Sequence, residues 1–367
     1  MTPMSRSRWK SFPTALLSLG VVAALVGARV GAQKPADIYF IDVEGGGATL
    51  IVSPSGESLL VDAGNPIPRD VDRILAVAKE AGLRQIDYFL ASHYHSDHIG
   101  GVPELARRIP IRNFVDHGPE NLDQGQFRGS DALFNGYLAE RAKGRALTVT
   151  PGDKVPVSGL EVVVVSSKGE GLKAPLSGAG ASNPLCANFV PQEEDKSENA
   201  RSVGVVVQFG RFRTLALGDL TWNKERELVC PNNLLGTIDV YLTTHHGLNL
   251  SGTDVLVHAI RPRVTIMNNG PRKGASHTAW TTVKTAPGLE DLWQLHYSLP
   301  RAPNAAFHET QESGGPNLNV SEQFIANLAD EAAHSPAYYL RVSAQADGGF
   351  TVVNSRQGYA KNYPPRR

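Results

Sequence analysis

The chain has 367 residues, balanced at 36 basic and 36 acidic groups, with 41% hydrophobic and 20% charged residues. No long Lys/Arg run occurs, which argues against tight nucleic-acid binding, since that normally needs a basic footprint. The two cysteines, Cys186 and Cys230, are too few to form a zinc–thiolate site by themselves.

Residues 1–32 read as a secretory signal peptide. Arg6, Arg8 and Lys10 make a basic head, Leu16–Gly27 is apolar but short for a bilayer, and Val30-Gly31-Ala32 offers a small-residue cleavage site before Gln33. An uncleaved N-terminal anchor is the alternative reading. The segment carries four basic residues (Arg6, Arg8, Lys10, Arg29) and no acid, so cleavage leaves 32 basic against 36 acidic groups, a net of −4. No second apolar segment of spanning length follows. The mature chain is therefore expected to be exported, periplasmic or extracellular, with no stable membrane insertion after cleavage. In an oxidising compartment Cys186 and Cys230 can pair, although the sequence does not give the distance between them.

Residues 33–367 allow one large domain or two small ones, and no Pro/Ser linker or internal repeat divides them. Strand-like runs rich in Val, Ile and Leu occur at Ile38–Val43, Thr49–Val52, Ser58–Asp62, Ile86–Ala91, Arg112–Val115, Glu161–Ser166, Val203–Phe209, Arg213–Leu217, Ile238–Thr243 and Val264–Met267. Helical patterns lie between them at Arg69–Ala81, Val102–Arg108, Asp131–Lys143, Asn223–Val229 and Asp254–Arg261. Interleaved strands and helices predict α/β layers. Residues 167–201, rich in Gly, Ser, Asn and acid, break the rhythm and read as a loop insertion, either substrate-facing or simply solvated. Residues 297–320 read as irregular, and Tyr338–Val342 with Phe350–Val353 as a final hairpin around Asp347-Gly348-Gly349.

The most informative stretch is His93-Tyr94-His95-Ser96-Asp97-His98, four metal-ligand side chains within six positions directly after a predicted strand. Side chains at alternate positions of extended chain point the same way. Imidazole nitrogens with one carboxylate suit zinc or a similar transition metal. Four such ligands are more than one tetrahedral ion takes easily from so short a segment, so the spacing suggests two adjacent ions sharing one loop. The competing reading is a solvated polar loop with chance histidines, which eleven His in 367 residues make improbable at this density.

With its HxHxDH pattern the chain resembles the metallo-β-lactamase superfamily. The resemblance extends to Ile41–Leu50 as a first hairpin, to Val61-Asp62-Ala63-Gly64, to Thr214–Asp219 and to the paired histidines of Thr243-Thr244-His245-His246-Gly247. The last pattern is similar to the branch containing DNA-uptake competence proteins and phosphorylcholine esterases. It implies a four-layer αββα sandwich with the site at the edge between two sheets. It also implies that His93 and His95 bind one ion, Asp97 and His98 the second, Asp219 bridges both, and His245 completes the second site. His246 would then contact substrate or support a ligand, although the two neighbours remain interchangeable. Asp62 would brace a metal-bound imidazole, or else serve as a turn residue before Gly64-Asn65-Pro66. The commoner family pattern has a further histidine for the first ion between HxHxDH and the bridging aspartate. Only His117 lies there, either facing the site or ending a turn. His277 is a further candidate contact for substrate or metal, and Trp222 either walls the pocket or fills the core.

Two divalent ions, zinc foremost with manganese or iron as alternatives, imply hydrolysis. They lower the pKa of a shared water, to about 7 in favourable cases, and stabilise the developing oxyanion. No GxSxG elbow, P-loop or dinucleotide fingerprint competes with this reading, and Gly45-Gly46-Gly47 fits a tight turn beneath the site. The expected function is an exported metal-dependent hydrolase of a small ester or phosphodiester, with Asp97 and Asp219 central to catalysis. A β-lactam or lactone hydrolase and a non-catalytic metal-containing binding protein are the alternatives.

Overall fold

Neighbouring side chains of a strand face opposite sides, and the aliphatic runs of this chain use both. In Gly204–Phe209, Val205, Val207 and Phe209 enter one apolar layer and Val206 another. In Ser58–Val61, Leu59 and Val61 join the first of these layers and Leu60 a third. Strands covered on both faces require such unbroken aliphatic runs. The computed structural model, which describes residues 1, 34–126, 129–329 and 336–366, shows two large sheets with helices outside each. Apart from Met1, the predicted signal peptide lies outside the described residues.

The first sheet runs Ala360–Tyr363, Phe350–Asn354, Tyr339–Ala344, Ala36–Ile41, Thr49–Val52, Ser58–Val61, Ile86–Leu90, Ile111–Asp116, Arg145–Thr148. The second runs Ile325–Asn327, Asp291–His296, Val264–Met267, Val240–Leu242, Phe212–Ala216, Gly204–Phe209, Glu161–Ser167, Lys154–Val155, with Glu170–Gly171 paired beside Glu161–Ser167. One apolar layer, with Phe40, Val205 and Trp293, lies between the sheets. Helices Pro68–Glu80, Val102–Arg108 and Ser130–Arg141 cover the outer face of the first sheet through Ile74, Leu105 and Tyr137. Helices Asp254–Ile260 and His277–Lys284 cover the second through Val257 and Trp280. This is the expected four-layer αββα sandwich. Pro68–Glu80 illustrates the local logic: Pro sits in its first turn, where no N–H is needed, and Val71, Ile74, Val77 and Ala78 form one buried stripe.

The predicted elements recur within a residue or two of their expected bounds, and the C-terminal hairpin pairs as expected. Several elements were not expected. Arg145–Thr148 is an edge strand with little burial, so it lacks the hydrophobic alternation that marks a strand. Asp291–His296 is buried yet carries Gln294 and His296; Gln294 is satisfied by Asn319 and by the Val320 N–H. The 167–201 segment is not featureless: it forms the Glu170–Gly171 pair and short 3-10 turns at Pro184–Asn188 and Glu198–Arg201.

Cys186 and Cys230 form a disulfide across 44 residues, with Cα atoms 5.7 Å apart. It ties the insertion to the segment after helix Trp222–Glu227. Closing a loop of that length removes unfolded-state entropy worth about 4 kcal/mol in the chain-entropy account. The Cys186→Ser/Cys230→Ser double variant is accordingly expected to lose about 2–4 kcal/mol of unfolding free energy in a urea titration. Coincident titration curves for the variant and the parent would refute this.

Candidate metal centre

Three parallel strands of the first sheet, Ser58–Val61, Ile86–Leu90 and Ile111–Asp116, end at one edge. So do three of the second sheet, Phe212–Ala216, Val240–Leu242 and Val264–Met267. The crevice outside the carboxyl ends of parallel strands is where α/β folds place ligands. The loops after these strands carry Asp62, His93–His98, Asp219, His245-His246 and Asn268. After the turn at His95, helix Ser96–Ile99 starts and swings Asp97 and His98 inward. Gly47 must lack a side chain here: a Cβ would lie 2.8 Å from Asp62 Oδ2 and 2.9 Å from His98 Nδ1.

Two groups of donor atoms result, each with all its atoms within 4.8 Å of one another: His93, His95 and Asp219, and Asp97, His98, Asp219 and His246. Asp219 belongs to both. Its Oδ2 lies 3.8 Å from His93 Nε2 and 3.3 Å from His98 Nε2, and its Oδ1 3.4 Å from His246 Nε2. Asp97 Oδ2 lies 3.3 Å from both His98 Nε2 and His246 Nε2. The nitrogens facing away are held from behind. His98 Nδ1 meets Asp62 Oδ2 at 2.7 Å, His93 Nδ1 meets Ser92 Oγ at 3.1 Å, and His246 Nδ1 lies 3.2 Å from the Asn268 amide. Asp62 also accepts from the Ser92 N–H and hydroxyl, so it braces the start of the His-rich turn. Inward-facing nitrogens, carboxylates between them and an outer ring of hydrogen bonds are what imidazole–carboxylate metal sites require, so the donor set fits two divalent ions.

The histidine pair differs from expectation. His246, not His245, stands in the second group. His245 instead turns Nε2 to within 3.4 Å of Asp219 Oδ2 and Nδ1 to 3.4 Å from Ser251 Oγ. The expectation treated this segment as strand, with neighbours on opposite sides. The backbone is left-handed at three consecutive residues, with φ 53° at His245, 58° at His246 and 75° at Gly247. Each non-glycine residue held there costs on the order of 1–3 kcal/mol, a strain that persists where surrounding bonds over-determine it. Tyr241 Oη accepts the Thr244 N–H at 3.0 Å, and Gly218 O accepts the His245 N–H at 3.0 Å. The buried Glu225 accepts the Gly252 and Thr253 N–H groups on the following loop. Burial pushes the Glu225 carboxyl up to about 7.

His117 and His277 belong to neither group. His117 is fully buried, packs with its ring centre 4.4 Å from that of Tyr94 at a tilt of 50°, and places Nε2 2.9 Å from Glu198 Oε2. His277 opens helix His277–Lys284, and its N–H donates to Ser313 Oγ. Three residues at the site carried no spacing signal. Asp123 Oδ2 lies 2.8 Å from His95 Nε2, Asn268 backs His246, and Lys273 Nζ lies 2.5 Å from Asp97 Oδ2. Each follows a strand end at variable distance, so only the fold brings it in. Trp222 walls a cavity of about 320 Å³ with His308 and Gln192, and a second cavity of about 320 Å³ opens beside His95, Asp97 and Asn121. A further acid–His group, Asp42, Glu44 and His296, is tied into ion pairs instead: Arg73 reaches both carboxylates and Arg69 reaches Glu44, which holds the Val43–Gly47 turn.

Electrostatics favour ionised carboxylates in this crowded site. Burial alone would raise Asp97 and Asp219. Lys273 and His98 hold Asp97 well below the usual range, and His245, His98 and His246 do the same for Asp219. Burial, with His98 and His95 beside it, pushes His93 well down, and burial brings His245 to about 4. Both shifts favour the neutral imidazole, the form that binds metal.

A family model described as the metallo-beta-lactamase superfamily matches residues 41–180, which include the whole His-rich turn. The match supports membership of that superfamily. A hydroxyacylglutathione hydrolase of Aliivibrio salmonicida (strain LFI1238) is 46% identical over 72 residues, 20% of this chain and 25% of the relative. An atrochrysone carboxyl ACP thioesterase of Aspergillus chevalieri is 34% identical over 113 residues, 29% of this chain and 33% of the relative. The chain thus spans a quarter to a third of the length of these relatives. Igni18, a metallo hydrolase from Ignicoccus hospitalis KIN4/I, aligns over 70% of this chain and 93% of its own at 15% identity and a TM-score of 0.42.

Proposed function

We propose that the protein is an exported hydrolase that holds two divalent ions and cleaves a small ester or thioester, with a phosphodiester as the substrate it would take next. The observation that carries this reading is Asp219, one carboxylate shared by two adjacent donor groups. His93 and His95 would hold the first ion, joined by His245, whose Nε2 faces the same Asp219 oxygen as His93. Asp97, His98 and His246 would hold the second. Bound there, the ions would supply Lewis acidity and an activated water at neutral pH. The chain's own part is to fix that geometry. Asp62 and Asn268 orient imidazoles, and ionised Asp97 and Asp219 offset the cationic charge. Lys273, on the Asp97 side, provides an ammonium for an anionic part of the substrate.

Two relatives named as a thioesterase and a hydroxyacylglutathione hydrolase support an acyl substrate. The Thr243–Gly247 pattern supports the competence-protein and phosphorylcholine-esterase branch, from which phosphodiester cleavage would follow. Export is supported by the N-terminal sequence pattern and by the disulfide, which persists in oxidising compartments. Among the described residues no helix is long and apolar enough to cross a membrane. The test is elemental analysis of the mature chain followed by a substrate panel: an acyl thioester, a p-nitrophenyl ester, bis-p-nitrophenyl phosphate, p-nitrophenyl phosphorylcholine, a chromogenic cephalosporin, a lactone and DNA. Close to two ions per chain and chelator-sensitive turnover, fastest on the acyl substrates, are expected. No bound transition metal after reconstitution would end this reading. Salt-sensitive DNA binding with cleavage would replace it with a nuclease.

A further inference from the structure

His95 departs from the other histidines of the first segment in how it faces the site. Its Nδ1, not its Nε2, lies 3.0 Å from His93 Nε2, while its Nε2 points outward to Asp123 Oδ2 at 2.8 Å. Asp123 is buried, its side chain 3% exposed, and its carboxylate can only accept. It therefore draws the imidazole proton to Nε2 and leaves the Nδ1 lone pair for the first donor group.

Asp123 is itself held from the insertion. The Glu198 N–H donates to Asp123 Oδ2 at 3.1 Å, and Glu198 Oε1 accepts the Leu122 N–H at 2.7 Å. Glu198 Oε2 lies 2.9 Å from His117 Nε2, and Glu198 is fully buried. The histidine lying where the commoner family pattern has a further metal ligand thus anchors this brace through Glu198.

We propose that Asp123, locked by the Glu198 segment of the insertion, is a positioning residue that fixes the tautomer and orientation of His95, so that retention of the first ion depends on the 167–201 segment. The inference rests on the two-ion reading above but concerns His95 alone. An outer carboxylate on a metal-bound imidazole is worth about 10–100-fold in metal affinity.

The experiment uses the full mature chain with its disulfide intact. Zinc binding is measured by equilibrium dialysis, and the His95 tautomer by long-range proton–nitrogen correlation on zinc-free, histidine-labelled protein. The parent should show Nε2–H at His95 and two bound zinc ions. Asp123→Ala should mix the tautomers and weaken one zinc about 10–100-fold while the other is unchanged. Asp123→Asn, whose amide oxygen can still accept the Nε2 proton, should restore most of both readouts. Glu198→Gln should shift them in the same direction, less far. An Asp123→Ala protein with a native circular dichroism spectrum, unchanged His95 tautomer and two zinc ions at parental affinity would overturn the inference. If the parent binds no zinc, the two-ion reading fails instead, and the tautomer comparison still decides the role of Asp123.

Discussion

Asp219→Ala is expected to strip metal from both donor groups and to lower hydrolysis by at least about 10³-fold, beyond the usual loss from one transition-state donor. The reason is arithmetic of contacts. Asp219 is the one residue common to both groups, with Oδ2 facing His93, His98 and His245 and Oδ1 facing His246. Its burial makes the loss worse, because the buried imidazoles around it would be left without their carboxylate. Ser96→Ala changes an exposed hydroxyl inside the same turn and should leave metal content unchanged. Elemental analysis of the three proteins side by side provides the check. Full metal and activity in Asp219→Ala would move the shared ligand elsewhere.

The second large effect separates two adjacent histidines. His246→Ala should empty the second group, whose other members are Asp97, His98 and Asp219, while the first ion stays. His245→Ala should weaken the first ion instead, since its Nε2 faces the Asp219 oxygen shared with His93. Both losses should exceed the roughly 10–100-fold of an outer residue. Cobalt titration followed in the visible spectrum distinguishes them, because four-coordinate and higher-coordinate ions absorb differently. If His245→Ala loses the Asp97–His98 ion, the left-handed turn does not present these rings as described.

Much of this centre could be read from the chain because its chemistry is local. His93, His95, Asp97 and His98 lie on one turn, and their spacing suggests two adjacent ions. The strands were legible for a related reason: covered on both faces, they read as unbroken Val, Ile and Leu runs. What was not legible depends on backbone conformation or on distant closure. The order of His245 and His246 turned on two consecutive left-handed residues, which a strand-like pattern does not announce. Asp123 and Lys273 carry no motif and reach the site only because two sheets bring separate loops to one edge. Glu198 sits in a stretch whose composition reads as solvated loop, yet it is fully buried. His117 and His277 were plausible by type and sequence neighbourhood, but one is paired with Glu198 and the other begins a helix.

The donors come from both halves of the sandwich. His93, His95, Asp97 and His98 hang from the first sheet, and Asp219, His245 and His246 from the second. An ion bound between them is therefore also a rivet through the molecule, closing an edge that the apolar layer between the sheets leaves to polar loops. Anything that binds only the folded state stabilises it by mass action, about 2.7 kcal/mol at a hundred times its dissociation constant. Metal supply in the surrounding medium would then set how long the fold survives as well as how fast it works, and starvation for the ion would loosen the seam between the sheets before it touched either one.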